Sequence, residues 1–275
     1  MKNILIPIDY SVFSTSAVKT GAYIAKKTDA YVHLLNIACA PEDWEKISAS
    51  QQRKYPEIER NMAEAEIKLL KYSENPMFNL DKTITRVTGG SPFKQIVQYA
   101  EKNKIDLIIL GAHGISDNDG LFIGSTAQRV LRTAPCLVLS VKKNFNPIAL
   151  KRILFASDFE EDGIGSSFKP IKNFATDIHA KIDFAFINTP QNFLDSDTIE
   201  NRIKNFSAYQ RDIKPHAFIR NDYTKEGGIL NVSKKIKSNV IALVTHNRRS
   251  KKNYAIGVTE TILFHSGVPV LSQVM

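Results

Sequence analysis

Short continuous apolar runs alternate with stretches of helical spacing along the chain. Residues 4–8 (ILIPI) read as a strand buried on both faces, since such a strand has no solvent side to mark with polar residues. It ends at Asp9. Residues 14–27 then place Ala17, Val18, Ala22 and Ala25 at helical spacing behind a Ser-rich start. Residues 31–37 (YVHLLNI) predict a second strand, and a loop opened by Pro41 follows. A charged helix over 57–72 carries Ile58, Met62, Ala65 and Leu69 on one stripe. Residues 83–88 predict a third, more polar strand, as at a sheet edge. The turn Gly89-Gly90-Ser91-Pro92 precedes a helical stripe of Phe93, Ile96, Val97 and Ala100. Residues 105–110 (IDLIIL) and 137–141 (LVLSV) are the fourth and fifth strands. Strand–helix alternation of this kind predicts an α/β fold, with a parallel sheet and helices on both faces.

The pattern then starts again. Residues 152–159 (RILFASDF) mirror 3–10 (NILIPIDY), and 182–188 (IDFAFIN) mirror 32–37, each followed closely by a proline. A short third strand is predicted over 217–220. Gly228, Ile229, Val232 and Ile236 mirror the Phe93 helix, and 240–244 mirror the fourth strand. Gly257-Val258-Thr259 mirrors Gly124-Ser125-Thr126, and 267–271 mirror 134–138. The chain therefore reads as two tandem copies of one unit, residues 1–143 and 150–275.

Between the fourth strand and the next helix lies GAHGISDNDGLFIGST, residues 111–126. Gly111 and Gly114 let the backbone take φ > 0 or approach a ligand closely. Gly124-Ser125-Thr126 opens a helix, whose unpaired N–H groups and dipole attract phosphate. Ser125 and Thr126 add hydroxyl donors. Glycines at such a junction also serve as plain turn punctuation, and Ser or Thr as an N-cap. No Gly-Lys-Ser/Thr follows, so this is not a P-loop, and it is not the dinucleotide fingerprint of a first strand.

Composition narrows the setting. The chain has 275 residues, room for two ordinary domains, with 43% hydrophobic and 24% charged residues. No apolar run approaches the roughly 20 residues of a membrane helix, and residues 1–9 fall short of a signal-peptide core. Cys39 and Cys136 sit in or beside apolar runs and read as buried thiols, not a disulfide framework or metal site. The expected setting is cytoplasmic, without a membrane. The net charge is +9, but the lysines are scattered and no RNA-binding aromatic signature accompanies them. Nucleic acid is therefore not the expected partner.

In these residues the chain resembles a tandem universal stress protein. The ATP-binding pattern of that family, G-x2-G-x9-G-[ST], is met by Gly111, Gly114, Gly124 and Ser125. The opening strand ending in Asp and the terminal A-P-C-L-V-L strand match as well. The resemblance implies a Rossmann-like, open-twisted parallel sheet of five strands per half, in the order 3-2-1-4-5. It also implies dimer-like pairing of the two halves, with further assembly into a homodimer left open. The terminal strands at 137–141 and 268–271 are then the expected pairing edges. Carried over by position, Asp9 bonds the adenine or ribose end, with Pro7 and Ile8 lining it and Ile37 against the base. The phosphates of ATP or ADP fall to Gly111, His113, Gly114, Gly124, Ser125 and Thr126. Strands one and four would flank the point where the order reverses, where ligands bind in such sheets.

Each residue has a plainer reading beside the sharper one. Asp9 could simply cap a loop, and His113 could simply be exposed. Asp117 and Asp119 are candidates to bring Mg²⁺ to the phosphates, or solvated turn formers. The second half departs from the motif. Thr245 and Arg248 stand where the first two glycines should be, and Arg249, Lys251 and Lys252 fill the loop. A Cβ resists φ > 0 and keeps phosphate off the backbone, so no ATP binding is expected there. The expected function is an ATP-binding stress or regulatory protein. The alternatives are a slow ATPase or phosphotransferase, and an interaction module with an anion-binding basic second half. Against an enzyme, no P-loop Lys, Walker-type Asp, base or nucleophile can be assigned.

Overall fold

The computed structural model describes residues 1–42, 44–112, 124–160, 164–208, 210, 215–245 and 257–275. In the first half these form β1 (Asn3–Pro7), α1 (Val12–Thr28), β2 (Tyr31–Ala38), α2 (Ala49–Gln52), α3 (Pro56–Ser73), β3 (Thr83–Gly89), α4 (Pro92–Lys102), β4 (Leu107–Gly111), α5 (Ser125–Thr133) and β5 (Leu137–Val141). The second half adds β6 (Arg152–Ala156), α6 (Ile164–Asp177), β7 (Lys181–Asn188), α7 (Ser196–Ala208), β8 (Ala217–Asn221), α8 (Lys225–Ile236), β9 (Val240–Thr245), α9 (Val258–His265) and β10 (Val270–Val274).

The ten strands of the described residues lie in one sheet, ordered β3-β2-β1-β4-β5-β10-β9-β6-β7-β8. The first five follow the expected 3-2-1-4-5 order, and the polar β3 is an outer edge. Pairing is parallel within each half. At the centre β5 and β10 pair antiparallel, with Leu139 opposite Leu271 and Ser140 opposite Val270. The sheet is thus parallel-dominant rather than wholly parallel, with one antiparallel seam.

Both faces are covered, which is why the strands read as unbroken apolar runs. Ile4, Ile6 and Leu34 point into one core with α1, α3, α6 and α7. Leu5, Leu35 and Ile108 point into the other, with α4, α5, α8 and α9. In the second half the first core is built on Phe155, Phe159, Phe168, Phe184 and Phe206, with Phe155 and Phe168 only 4.6 Å apart between ring centroids. Such offset and edge contacts suit the ring quadrupoles.

Local chemistry sets the ends of the elements. The Ser11 hydroxyl accepts from the Ser14 N–H at 3.2 Å and caps α1, while Asp29 closes it in the left-handed region at φ 57°. Pro56 and Pro92 sit in the first turns of α3 and α4, where a missing N–H costs no intrahelical bond. Three features were not read from the sequence: the short α2 in the loop after Pro41, α6, which carries Pro170 inside it, and α7, which fills the stretch between β7 and β8. Cys39 is also exposed where burial was expected, whereas Cys136 is buried.

Beyond the strand seam, the halves touch through side chains. The Met1 ammonium bonds Asp177 at 2.9 Å, and Lys27 Nζ donates to the Ile178 carbonyl at 3.2 Å. Arg132 of α5 pairs with Glu260 of α9, and Lys142 Nζ donates to the Leu263 carbonyl.

Candidate functional site

Strands β1 and β4 are neighbours, with Ile4 beside Leu107. Their carboxyl ends diverge because β1 leads into α1 and β4 leads toward α5 on the opposite face. A cleft of about 320 Å³ opens there, lined by Pro7, Ile8, Asp9, Ile37, Gly111, Gly124, Ser125 and Thr126. These are all the sequence-predicted site residues that the structure describes. His113 and Gly114 lie outside the described residues, as do Asp117, Asp119, Arg248, Arg249, Lys251 and Lys252.

The floor is fixed by backbone bonds. The Ile8 N–H donates to the Leu35 carbonyl at 2.8 Å, and buried Asn36 donates its amide to the Ile8 carbonyl at 2.8 Å. Asp9 follows at the cleft mouth, and Tyr10 turns the chain through the left-handed region at φ 63°. The Asp9 carboxylate accepts from the Ser11 N–H at 2.9 Å. Burial pushes the Asp9 carboxyl up, but hydrogen bonds from the hydroxyl and N–H of Ser11 and from the Ser14 hydroxyl outweigh it. The net result lies below the ordinary value of 3.8. Asp9 is therefore an anchored carboxylate, an acceptor for ligand N–H or O–H groups.

Opposite stands the start of α5. Gly124 is its N-cap, at φ −51° and ψ 131°, and no side chain caps the helix there. The first turn of α5 lines the cleft with Gly124, Ser125 and Thr126, and among the described residues no side chain caps it. A Cβ built on Gly124 meets nothing within 4 Å. Gly111 is different. It carries no positive φ, and a Cβ there would fall 2.6 Å from the Phe13 carbonyl oxygen and 2.7 Å from its Cβ. Packing against the start of α1 is what excludes a side chain at 111, where φ > 0 or close approach to a ligand was the expectation.

Several lining residues were not read from the sequence: Ser11, Phe13, Ser14, Pro92, Ile96, Leu110 and Ala127. Of these, Ala127 carried a signal. It stands three residues after Gly124, and small residues at such a position leave a helix start open.

The donor set is asymmetric. It offers an apolar side (Ile8, Ile37, Ile96), a carboxylate acceptor at one end and a helix start with two hydroxyls at the other. That arrangement suits a ligand with a flat base, hydroxyls and phosphate. For a divalent metal, no group of three or more His, Cys, Asp or Glu side chains converges among the described residues.

The fold and cleft define an open α/β protein with an anion-ready helix start at the strand-order reversal. The sequence profile of the universal stress protein family matches residues 1–142, and the chain belongs to that family. A universal stress protein of Methanocaldococcus jannaschii is 34% identical over 150 residues, covering 52% of this chain and 82% of the relative. A relative from Staphylococcus haemolyticus is 30% identical over 144 residues, covering 51% and 84%. The crystal structure of a universal stress protein from Archaeoglobus fulgidus superposes with a TM-score of 0.76 at 18% identity, covering 98% of this chain and 97% of that one. A protein from Pseudomonas aeruginosa gives 0.66 at 20% identity, covering 100% and 93%. At these identities the superpositions speak for the fold.

Proposed function

We propose that the first half, residues 1–143, is a nucleotide-binding unit that holds ATP or ADP in the β1–β4 cleft, and that the protein acts as a nucleotide-responsive stress or regulatory factor. The observation that carries this reading is the start of α5, with Gly124, Ser125 and Thr126 facing Asp9 across an apolar-sided cleft. Asp9 accepts from the ribose or base, Ile37 packs on the base, and the amides and hydroxyls of Ser125 and Thr126 receive phosphate. His113 and Gly114 complete the phosphate loop in this proposal. Residues 150–275 form the partner unit, which does not take ATP at physiological concentration. Occupancy acts as a signal only to the extent that ATP binds two conformations or complexes unequally.

The test is the nucleotide content of the purified protein, released by denaturation and resolved by anion exchange. About one ATP or ADP per chain is expected, with Gly124→Val losing it while staying folded. No nucleotide, together with no binding on titration with millimolar ATP, overturns the reading. Two equivalents per chain overturn the assignment of the second half.

A further inference from the structure

The second half carries its own cleft at the matching place, of about 190 Å³. It lies at the carboxyl ends of β6 and β9, which pair as β1 and β4 do. The floor repeats the first: the Ser157 N–H donates to the Ala185 carbonyl at 3.1 Å, Asp158 follows, and Phe159 turns through φ 53° as Tyr10 does. Ile187, Ile229 and Leu243 make the walls apolar. The α9 start lines the far end with Gly257, Val258 and Thr259.

That far end is chemically inverted. Three residues after Gly124 stands Ala127, and three residues after Gly257 stands Glu260. Glu260 is 3% exposed. Its Oε2 accepts from the Gly257 N–H at 3.0 Å, and its Oε1 accepts from Arg132 Nε, reaching over from α5 of the first half. The anion position at the head of α9 is therefore filled by the protein's own carboxylate. Thr245 and Thr259 bond each other at 2.9 Å and close the side where Gly111 and Thr126 stand in the first cleft. Among the described residues the charged groups lining this cleft are Asp158, Glu260, Lys225 and Arg132, two of each sign, and Arg248, Arg249, Lys251 and Lys252 lie outside those residues. An arriving phosphate meets a buried carboxylate where it needs donors.

We propose that the second cleft binds an uncharged ligand of the nucleoside class, with Asp158 accepting from its hydroxyls and Ile187, Ile229 and Leu243 packing on its flat ring, and that Glu260 excludes the phosphorylated form. The choice of nucleosides rests on the nucleotide reading of the first cleft, whose floor this one repeats. The exclusion of phosphate rests on Glu260 and Arg132 alone.

The test is calorimetric titration of the full chain with adenosine and with ATP. In the wild type, adenosine binds with one equivalent per chain in the presence of saturating ATP, and Asp158→Ala weakens that binding at least tenfold. Glu260→Ala admits a second equivalent of ATP. Glu260→Gln keeps an acceptor for the Gly257 N–H and so preserves the helix start, and it too gains ATP affinity at the second cleft, at least tenfold over wild type. The reciprocal Ala127→Glu loses the first ATP and keeps adenosine. Adenosine that fails to bind beside ATP overturns the proposal. So does Glu260→Gln, folded by circular dichroism, with no gain in ATP. A wild type that binds adenosine but no ATP sinks the nucleotide reading of the first cleft and leaves the second site standing.

Discussion

Replacing Gly111 or Gly124 by alanine separates what the two glycines do. The added Cβ at 111 falls 2.6 Å from the Phe13 carbonyl oxygen and 2.7 Å from the Phe13 Cβ, well inside carbon contact distances of about 3.5–4.0 Å. Neither the Phe13 backbone nor its Cβ can swing away as a side-chain tip would, so α1 must shift from β4. Phe13 is 7% exposed and Gly111 pairs with Val141 in the sheet, so the shift disturbs packing on both sides. Overpacking of this kind costs about 1–3 kcal/mol. The Cβ at 124 meets nothing within 4 Å, and φ −51° with ψ 131° suits alanine. Gly124→Ala should leave stability unchanged or raise it by about 0.4–1 kcal/mol through the unfolded chain. Urea unfolding monitored by circular dichroism measures both, read as midpoint at constant slope. Gly111→Ala is expected to unfold at lower urea, and Gly124→Ala at wild-type urea or above, while losing nucleotide. A Gly111→Ala protein as stable as wild type would refute the packing account and return Gly111 to a purely ligand-facing role.

Three further outcomes follow from other sites. Arg132→Ala strands the Glu260 carboxylate, whose side chain is 4% exposed, and should cost about 3–5 kcal/mol in urea unfolding, largely restored when Glu260→Ala is added. Burial, and secondarily the Asp106 charge, push the Cys136 thiol up to about 12, so a thiol reagent at pH 8 should modify Cys39 alone in the native protein and both cysteines in urea. Asp9 has a folded value below 3.8. Its stabilising contribution is thus complete above that pH and disappears as pH falls through the folded value. The stability difference between wild type and Asp9→Asn should be flat above pH 4 and shrink in acid, and a difference that grows in acid would reverse the assigned sign.

Much of the architecture is legible because burial on both faces leaves strands such as β1 and β4 no polar positions to blur them. Asp9 stands out as the first polar residue after an apolar run, and Gly124 because Ser125 and Thr126 follow it at a helix start. The failures are equally physical. Helix α7 does space Ile199, Ile203 and Phe206 for one buried stripe, but three apolar residues amid charges make a weak signal. Cys39 follows the last residue of β2, where the chain leaves the covered faces, so neighbouring apolar residues say little about its exposure. Gly111 read as a motif glycine rather than a packing one because its partner, the Phe13 backbone, comes from another element. Glu260 drew no reading from the sequence. Its role depends on Arg132, 128 positions away, and only the β5–β10 seam brings them together.

That seam has a genetic consequence. Two separate copies of one polypeptide meeting edge to edge through a two-fold axis are held identical, since any substitution appears on both sides at once. Here β5 and β10 belong to one chain, so their encounter needs no threshold concentration and every molecule carries one of each half. Each half is also free to mutate alone. Ala127 and Glu260 occupy matching places with opposite chemistry, a divergence that a symmetric pair of identical copies could not record.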